Sequence, residues 1–197
     1  MVVRSSNKPF YVTMTKTGMV EEVSNIDTLF ESMFDQFPEL PEMQKQQIKT
    51  QLQQSYGDKA FKGNIEMVTA VLPDKPVKKG EKWTVETKLE SGMSATVVST
   101  YELNDIRDNQ CIIQGKSTIA TTDKDAYIES NGMPMKFDLK GTMTSQLTID
   151  KATGWIVEAT INQDIQGDVY IKESPQMPNG MKIPMTMVSE MIIKDKR

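Results

Sequence analysis

The carboxylates Asp123, Asp125 and Glu129 in the stretch DKDAYIE come nearest, by type and spacing, to a reactive centre. Acidic residues alternating in a loop can hold calcium, because a hard cation collects carboxylate and carbonyl oxygens. The stretch lacks the further Asp or Asn and the glycine of a helix-loop-helix calcium site, so it reads as a solvated acidic turn. Asp150 of DKATG could hold a cation in the same manner, yet Asp and Thr before Gly are also what a hairpin turn needs. Neither a metal nor a cofactor is expected.

Histidine is absent from the 197 residues. That removes the commonest general base near neutral pH and the commonest zinc and copper ligand. Ser-His-Asp and Cys-His mechanisms are therefore closed to this chain. The single cysteine, Cys111, lies in the apolar, strand-like NQCIIQG and reads as an inert buried thiol. A hydrolase built on carboxylates or on a Ser-Lys pair stays open, although nothing in the sequence selects a pair.

The 23 Lys and Arg against 27 Asp and Glu give a net charge of -4. With no basic run flanked by aromatics, nucleic acid is not an expected partner. No run approaches the roughly 20 apolar residues of a membrane-spanning helix. MVVRSSNKPF lacks the apolar core of a secretory signal. The strand pattern that follows at once favours a fragment of a longer exported precursor over a cytoplasmic chain.

The elements that would position any site are legible from periodicity. Phe10, Val12 and Met14 alternate with polar residues before KTGM, and Met19 to Val23 reads as the return strand of a hairpin. From Ile26 the apolar residues Leu29, Phe30, Met33, Phe34 and Phe37 recur at three and four, which predicts an amphipathic helix. Pro41 opens a second helix around EMQKQQIKTQLQQSY, which Gly57 stops.

Beyond Gly57 the texture is that of strands, with Trp83, Val85, Thr87 and Leu89 as one alternating set. Further sets run through Met93 to Leu103, Cys111 to Ile119, Phe137 to Ile149, Trp155 to Ile171 and Met181 to Ile193. The sequence thus predicts one domain over residues 1–197, with a helical segment at 26–56 and an antiparallel sheet over 60–197. Its class is α+β, mainly β: a strongly curved antiparallel sheet, or half-barrel, wrapped around a short helical pair.

Small residues such as Gly115, Gly141 and Ser145 recur on the apolar side, together with many methionines. Small side chains leave space and methionines adapt to what fills it, a composition suited to an irregular apolar ligand. The expected ligand-lining residues are Met93, Met143, Ser145, Trp155, Met185, Met187 and Met191. The same composition would also let helices dock closely on the sheet and leave no cavity. In that case the chain is a structural or interaction module, with a protein partner at the open edge from Met181 to Ile193.

The motifs VTMTKTGMVEEVSNIDTLFESM, VLPDKPVKKGEKW and TIDKATGWIVEATINQDIQG resemble an uncharacterised family of Bacteroidetes-type cell-envelope lipoproteins. The resemblance implies export, lipid anchoring through an N-terminal cysteine, and a periplasmic or outer-membrane location. It also implies a domain similar in outline to the periplasmic lipoprotein-carrier half-barrels, with no catalytic residue to transfer. The lipidated cysteine is not matched, since Cys111 is internal.

Overall fold

A computed structural model describes residues 11–26, 34, 37–90, 94–130, 133–175 and 177–195. Two strands, β1 (Tyr11–Met14) and β2 (Val20–Ser24), form a hairpin of their own. The helices α1 (Glu42–Tyr56) and α2 (Asp58–Thr69) follow. The remaining strands are β3 (Lys82–Glu90), β4 (Ser94–Arg107), β5 (Gln110–Thr121), β6 (Ile128–Ser130), β7 (Met133–Asp150), β8 (Ile156–Ile171) and β9 (Met181–Lys194).

They build one antiparallel sheet in the order β3-β4-β5-β7-β8-β9, with the short β6 added alongside β7. The class is the one the alternation predicts, mainly β, with an antiparallel sheet and, among the described residues, the helices α1 and α2. The sheet stays open, with β3 and β9 as its edges. Bulges where Leu103 gives way to Asp105 and where Thr148 gives way to Ile149 bend the long strands.

The expected stripe from Ile26 to Phe37 falls largely outside the described residues, although Ile26 itself is buried. A correction applies to the next segment: residues 58–69 are helical, and the large sheet begins at Lys82 instead of near residue 60. The buried positions of α2 are Ala60, Gly63 and Glu66, with Ala70 just beyond. They recur at three and four, so the helical face is real but is made of small and charged residues. A search for large apolar side chains passes over it.

Gly57, read as a stop, is a hinge between two helices. It ends α1 by donating its N–H to the Gln53 carbonyl at 2.8 Å and accepts the Phe61 N–H at 2.8 Å to start α2. An added Cβ would sit 2.2 Å from the Gln53 oxygen.

Helix α2 lies against β3 and the β1–β2 hairpin. Glu66 is buried and its Oε1 accepts the Val20 N–H at 2.8 Å, while Thr69 donates its hydroxyl to the Gly18 carbonyl at 2.7 Å. Gly18 has φ +88, and a Cβ there would overlap the Thr69 carbonyl. The hairpin turn is thus fastened to the C-terminal end of the helix by backbone contact that only glycine permits.

The core covers the apolar face of the sheet in two adjoining groups. One joins Leu89, Ala95, Val97, Ile119, Leu139, Met143, Ile161 and Ile165, with Met67 of α2 against it. The other joins Tyr101, Leu103, Ile113, Leu147, Ile149 and Ala159 under Val71, Leu72 and Val77 of the loop after α2. Trp83 ties that loop down by donating its indole N–H to the Val71 carbonyl at 2.9 Å.

Candidate functional site

The antiparallel register turns the apolar face into rows that cross the strands. Trp83, Tyr101, Gly115, Ser145, Ile161 and Met191 form one such row. The next is Val85, Ser99, Ser117, Met143, Gln163 and Ser189, and the one beyond contains Val97, Ile119, Gly141, Ile165 and Met187. Each row starts in the core beside α2 and ends on the free edge strand β9.

Two of the expected ligand-lining residues belong to the packed part. Met143 is buried within the first core group. Ser145 is buried too, and a Cβ added to Gly115 would lie 2.3 Å from its Oγ and 2.6 Å from the Tyr101 ring. The space that the small residues leave is therefore already taken, by the Ser145 hydroxyl and the tyrosine. Gly141 serves likewise as a close-approach residue, because a Cβ there would stand 2.4 Å from the Asp164 carbonyl.

The three expected methionines of β9 behave differently. Met185 is half-buried against the core, whereas Met187 and Met191 remain 37% and 39% exposed. Met181 and Ile183, on the same side of the strand, are exposed as well. The structure thus gathers Met185, Met187 and Met191 at one edge, away from Met143 and Ser145. Met93 lies outside the described residues.

Trp155 is not on the apolar face. It is 59% exposed just after the DKATG turn. The cause is the β8 bulge: Thr148 pairs with Glu158 but Ile149 pairs with Ile156, so one extra residue reverses the alternation. Ile156, and not the tryptophan, packs into the second core group.

Polar groups cross the same face, and of these the sequence reading missed Gln163. The hydroxyls of Ser99 and Ser117 share a 2.8 Å hydrogen bond in the core, and Ser189 donates to Gln163 Oε1 at 3.4 Å. The Ser145 hydroxyl is buried with no hydrogen-bond partner among the described residues. Gln163 falls between Ile161 and Ile165 on the apolar side, and strict alternation was the signal that could have found it.

The acidic residues singled out by sequence have structural work. Asp123 Oδ1 accepts the N–H groups of Asp125 and Ala126 at 2.9 and 3.1 Å, folding the loop before β6. Asp125 pairs with Lys136 at 3.2 Å. Asp150 Oδ1 accepts the N–H groups of Ala152 and Thr153 at 3.0 and 2.9 Å, as a hairpin turn requires. Among the described residues, no three His, Cys, Asp or Glu side chains are grouped as metal ligands would be.

Burial pushes the Tyr101 hydroxyl above its usual range, against a smaller opposing effect from Ser99. Lys136 and Lys182 are pushed upward, foremost by hydrogen bonds to Asp125 and Asp168. That is the direction that keeps an ammonium charged, and the opposite of what an amine nucleophile or base needs. The polar face carries a shallow concavity of about 400 Å³ bordered by Thr100, Gln114, Lys116, Thr144 and Asn162. Among the described residues, no helix is long and apolar enough to cross a membrane.

No curated protein and no solved structure matches this chain. A match over residues 3–156, which takes in the hairpin, α1, α2 and strands β3 to β7, shows that the chain belongs to the family of unknown function DUF6263.

Proposed function

We propose that this is a non-enzymatic binding protein of the cell envelope, holding an apolar or lipidic ligand against the β9 end of its apolar face. The observation that carries the reading is the exposure of Met181, Ile183, Met187 and Met191 along one side of a strand that pairs with β8 over its whole length and leaves its other edge open. Four large apolar side chains in a line on an edge strand cost solubility, and such a patch is normally covered by a partner or a ligand. Methionine suits ligands of variable shape because its side chain is unbranched and polarizable. The packing of Met143 and Ser145 confines the ligand to this edge instead of the centre of the sheet. Location in the envelope and lipid anchoring rest on the resemblance of the VLPDKPVKKGEKW loop and the DKATG hairpin.

A second reading, a protein-interaction module, is favoured by Val188 and Ile192. They are 75% and 58% exposed on the opposite side of the same strand, among Lys182, Thr186, Glu190 and Lys194, so exposed apolar side chains stand on both sides of β9. A protein strand pairing with this edge would cover both at once.

Native mass spectrometry of the purified chain, with a thermal-shift series of fatty acids, phospholipids and detergents, separates the two. A bound apolar species whose binding is lost in Met187→Glu and Met191→Glu supports the ligand reading. Occupancy at about 100 times the dissociation constant should stabilise the fold by roughly 2.7 kcal/mol. No shift with any amphiphile, together with a concentration-dependent dimer lost in Val188→Glu, would replace it with the interaction reading.

A further inference from the structure

At the end of the polar face where β7, β8 and β9 meet, lysines and tyrosines alternate. The register sets Lys136 beside Tyr170 and Tyr170 beside Lys182. The short strand β6 pairs Ile128 with Met135 and so delivers Tyr127 next to Lys136. The ammonium of Lys172 lies 5.4 Å from the centre of the Tyr127 ring, and that of Lys136 lies 5.5 Å from Tyr127 and 5.6 Å from Tyr170. The ammonium of Lys182 completes the series, 5.6 Å from Tyr170. All five side chains border a concavity of about 340 Å³ that also reaches Asn179.

Three ammonium groups this close repel one another unless something compensates them. Two are compensated by carboxylates, Lys136 by Asp125 at 3.2 Å and Lys182 by Asp168 at 3.1 Å. Glu173 also borders the concavity. Among the described residues no carboxylate pairs with Lys172, whose ammonium lies against the Tyr127 ring. Of the three ammonium groups it is the one outside an ion pair, and it stands over a concavity that two phenols also border. A stabilising ladder alone does not need that third cation.

We propose that this concavity binds the phosphate group of an anionic ligand, with Lys172 as the principal donor and Lys136 and Lys182 beside it. A phosphate has oxygens enough to accept from several ammonium and phenol donors, and each charge-assisted hydrogen bond is stronger than a neutral one. Lysine serves such a group as a point charge, without the fixed fork of arginine. The phosphate could belong to a soluble phosphate ester or to a lipid headgroup. The site is on the polar face and does not depend on the methionine edge.

The test is calorimetric titration of the whole chain with inorganic phosphate at low ionic strength, with sodium chloride matching the ionic strength as control. Co-sedimentation with vesicles of phosphatidylglycerol mixed with phosphatidylcholine, against phosphatidylcholine alone, tells the two sources apart. Saturable phosphate binding should weaken about tenfold in Lys172→Gln, the value of one charge-assisted hydrogen bond. It should be unchanged in Lys88→Gln, an exposed lysine of β3. Retention on the anionic vesicles alone, lost in Lys172→Gln, assigns the phosphate to a headgroup; binding of free phosphate without vesicle retention assigns it to a soluble ester. If Lys172→Gln binds phosphate and anionic vesicles as the parent chain does, or if the parent binds neither, the cluster only stabilises the sheet and the proposal falls. Met187→Glu should leave the phosphate titration unaltered, so this reading and that of the apolar ligand fail separately.

Discussion

The ring of Tyr101 lies across Gly115 on the neighbouring strand, where a Cβ would approach its edge to 2.6 Å. Trp83 sits on its other side with ring centres 5.9 Å apart, and Ser145 Oγ occupies the remaining gap. The glycine is what lets a large aromatic side chain lie flat on the sheet. Gly115→Ala should therefore destabilise by about 1–3 kcal/mol, the usual cost of overpacking. Ser145→Ala should be neutral or slightly stabilising, because the hydroxyl it removes is buried with no hydrogen-bond partner among the described residues. Chemical denaturation of the two single variants and the double variant would check both, and the double should recover part of the loss because the two sites touch.

The parity reversal in β8 gives a paired expectation. Trp155→Ala should cost under about 1 kcal/mol, since the side chain is largely in water. Ile156→Ala should cost about 2 kcal/mol, because its side chain is packed with Ile149 and its neighbours. Equal losses in thermal unfolding would show that the bulge is misplaced.

Glu66 fastens the β1–β2 hairpin to α2 through the Val20 N–H. Glu66→Ala leaves that buried donor without an acceptor, at a cost of about 1–3 kcal/mol. Hydrogen exchange should report it locally, with faster exchange of the Val20 amide and little change in β5 or β7.

Asp105 stands at the β4 bulge with Lys79 at 2.8 Å and Arg107 at 2.7 Å. The hydrogen bond from Lys79, then that from Arg107, holds its carboxyl well below the usual carboxylate range. A carboxylate lowered by folding stabilises the native state above its unfolded pKa, near 3.9, and loses that contribution as the pH falls through the folded value. The difference in melting temperature between the parent and Asp105→Asn should thus be constant at neutral pH and shrink below about pH 4. A difference that grows on acidification would contradict the pairing. The group is half-buried and its partners Lys79 and Arg107 are exposed, so high salt should reduce the effect.

Alternation and turn chemistry alone predict the mainly β class, the hairpin at Met19 and the turn at Asp150, because strand period and turn residues are local properties. The paired strands from Trp83 onward are legible for the same reason. Helix α2 was not, because its buried face is Ala60, Gly63 and Glu66, and what makes it a helix is the β3 and hairpin surface it lies on. The position of Trp155 was not legible either, since a single extra residue in β8 is invisible until the partner strand fixes the pairing.

For the candidate site, the sequence by itself determined that methionines and small residues share the apolar side of the sheet. Only the tertiary structure decided that they divide into a filled centre and an exposed edge, because strand order placed Met143 and Ser145 in the middle and β9 on the outside. The lysine and tyrosine cluster was beyond the sequence for the same physical reason. Tyr127, Lys136, Tyr170 and Lys182 come from β7, β8, β9 and the approach to β6, and only antiparallel register brings residues so far apart in the chain into one row.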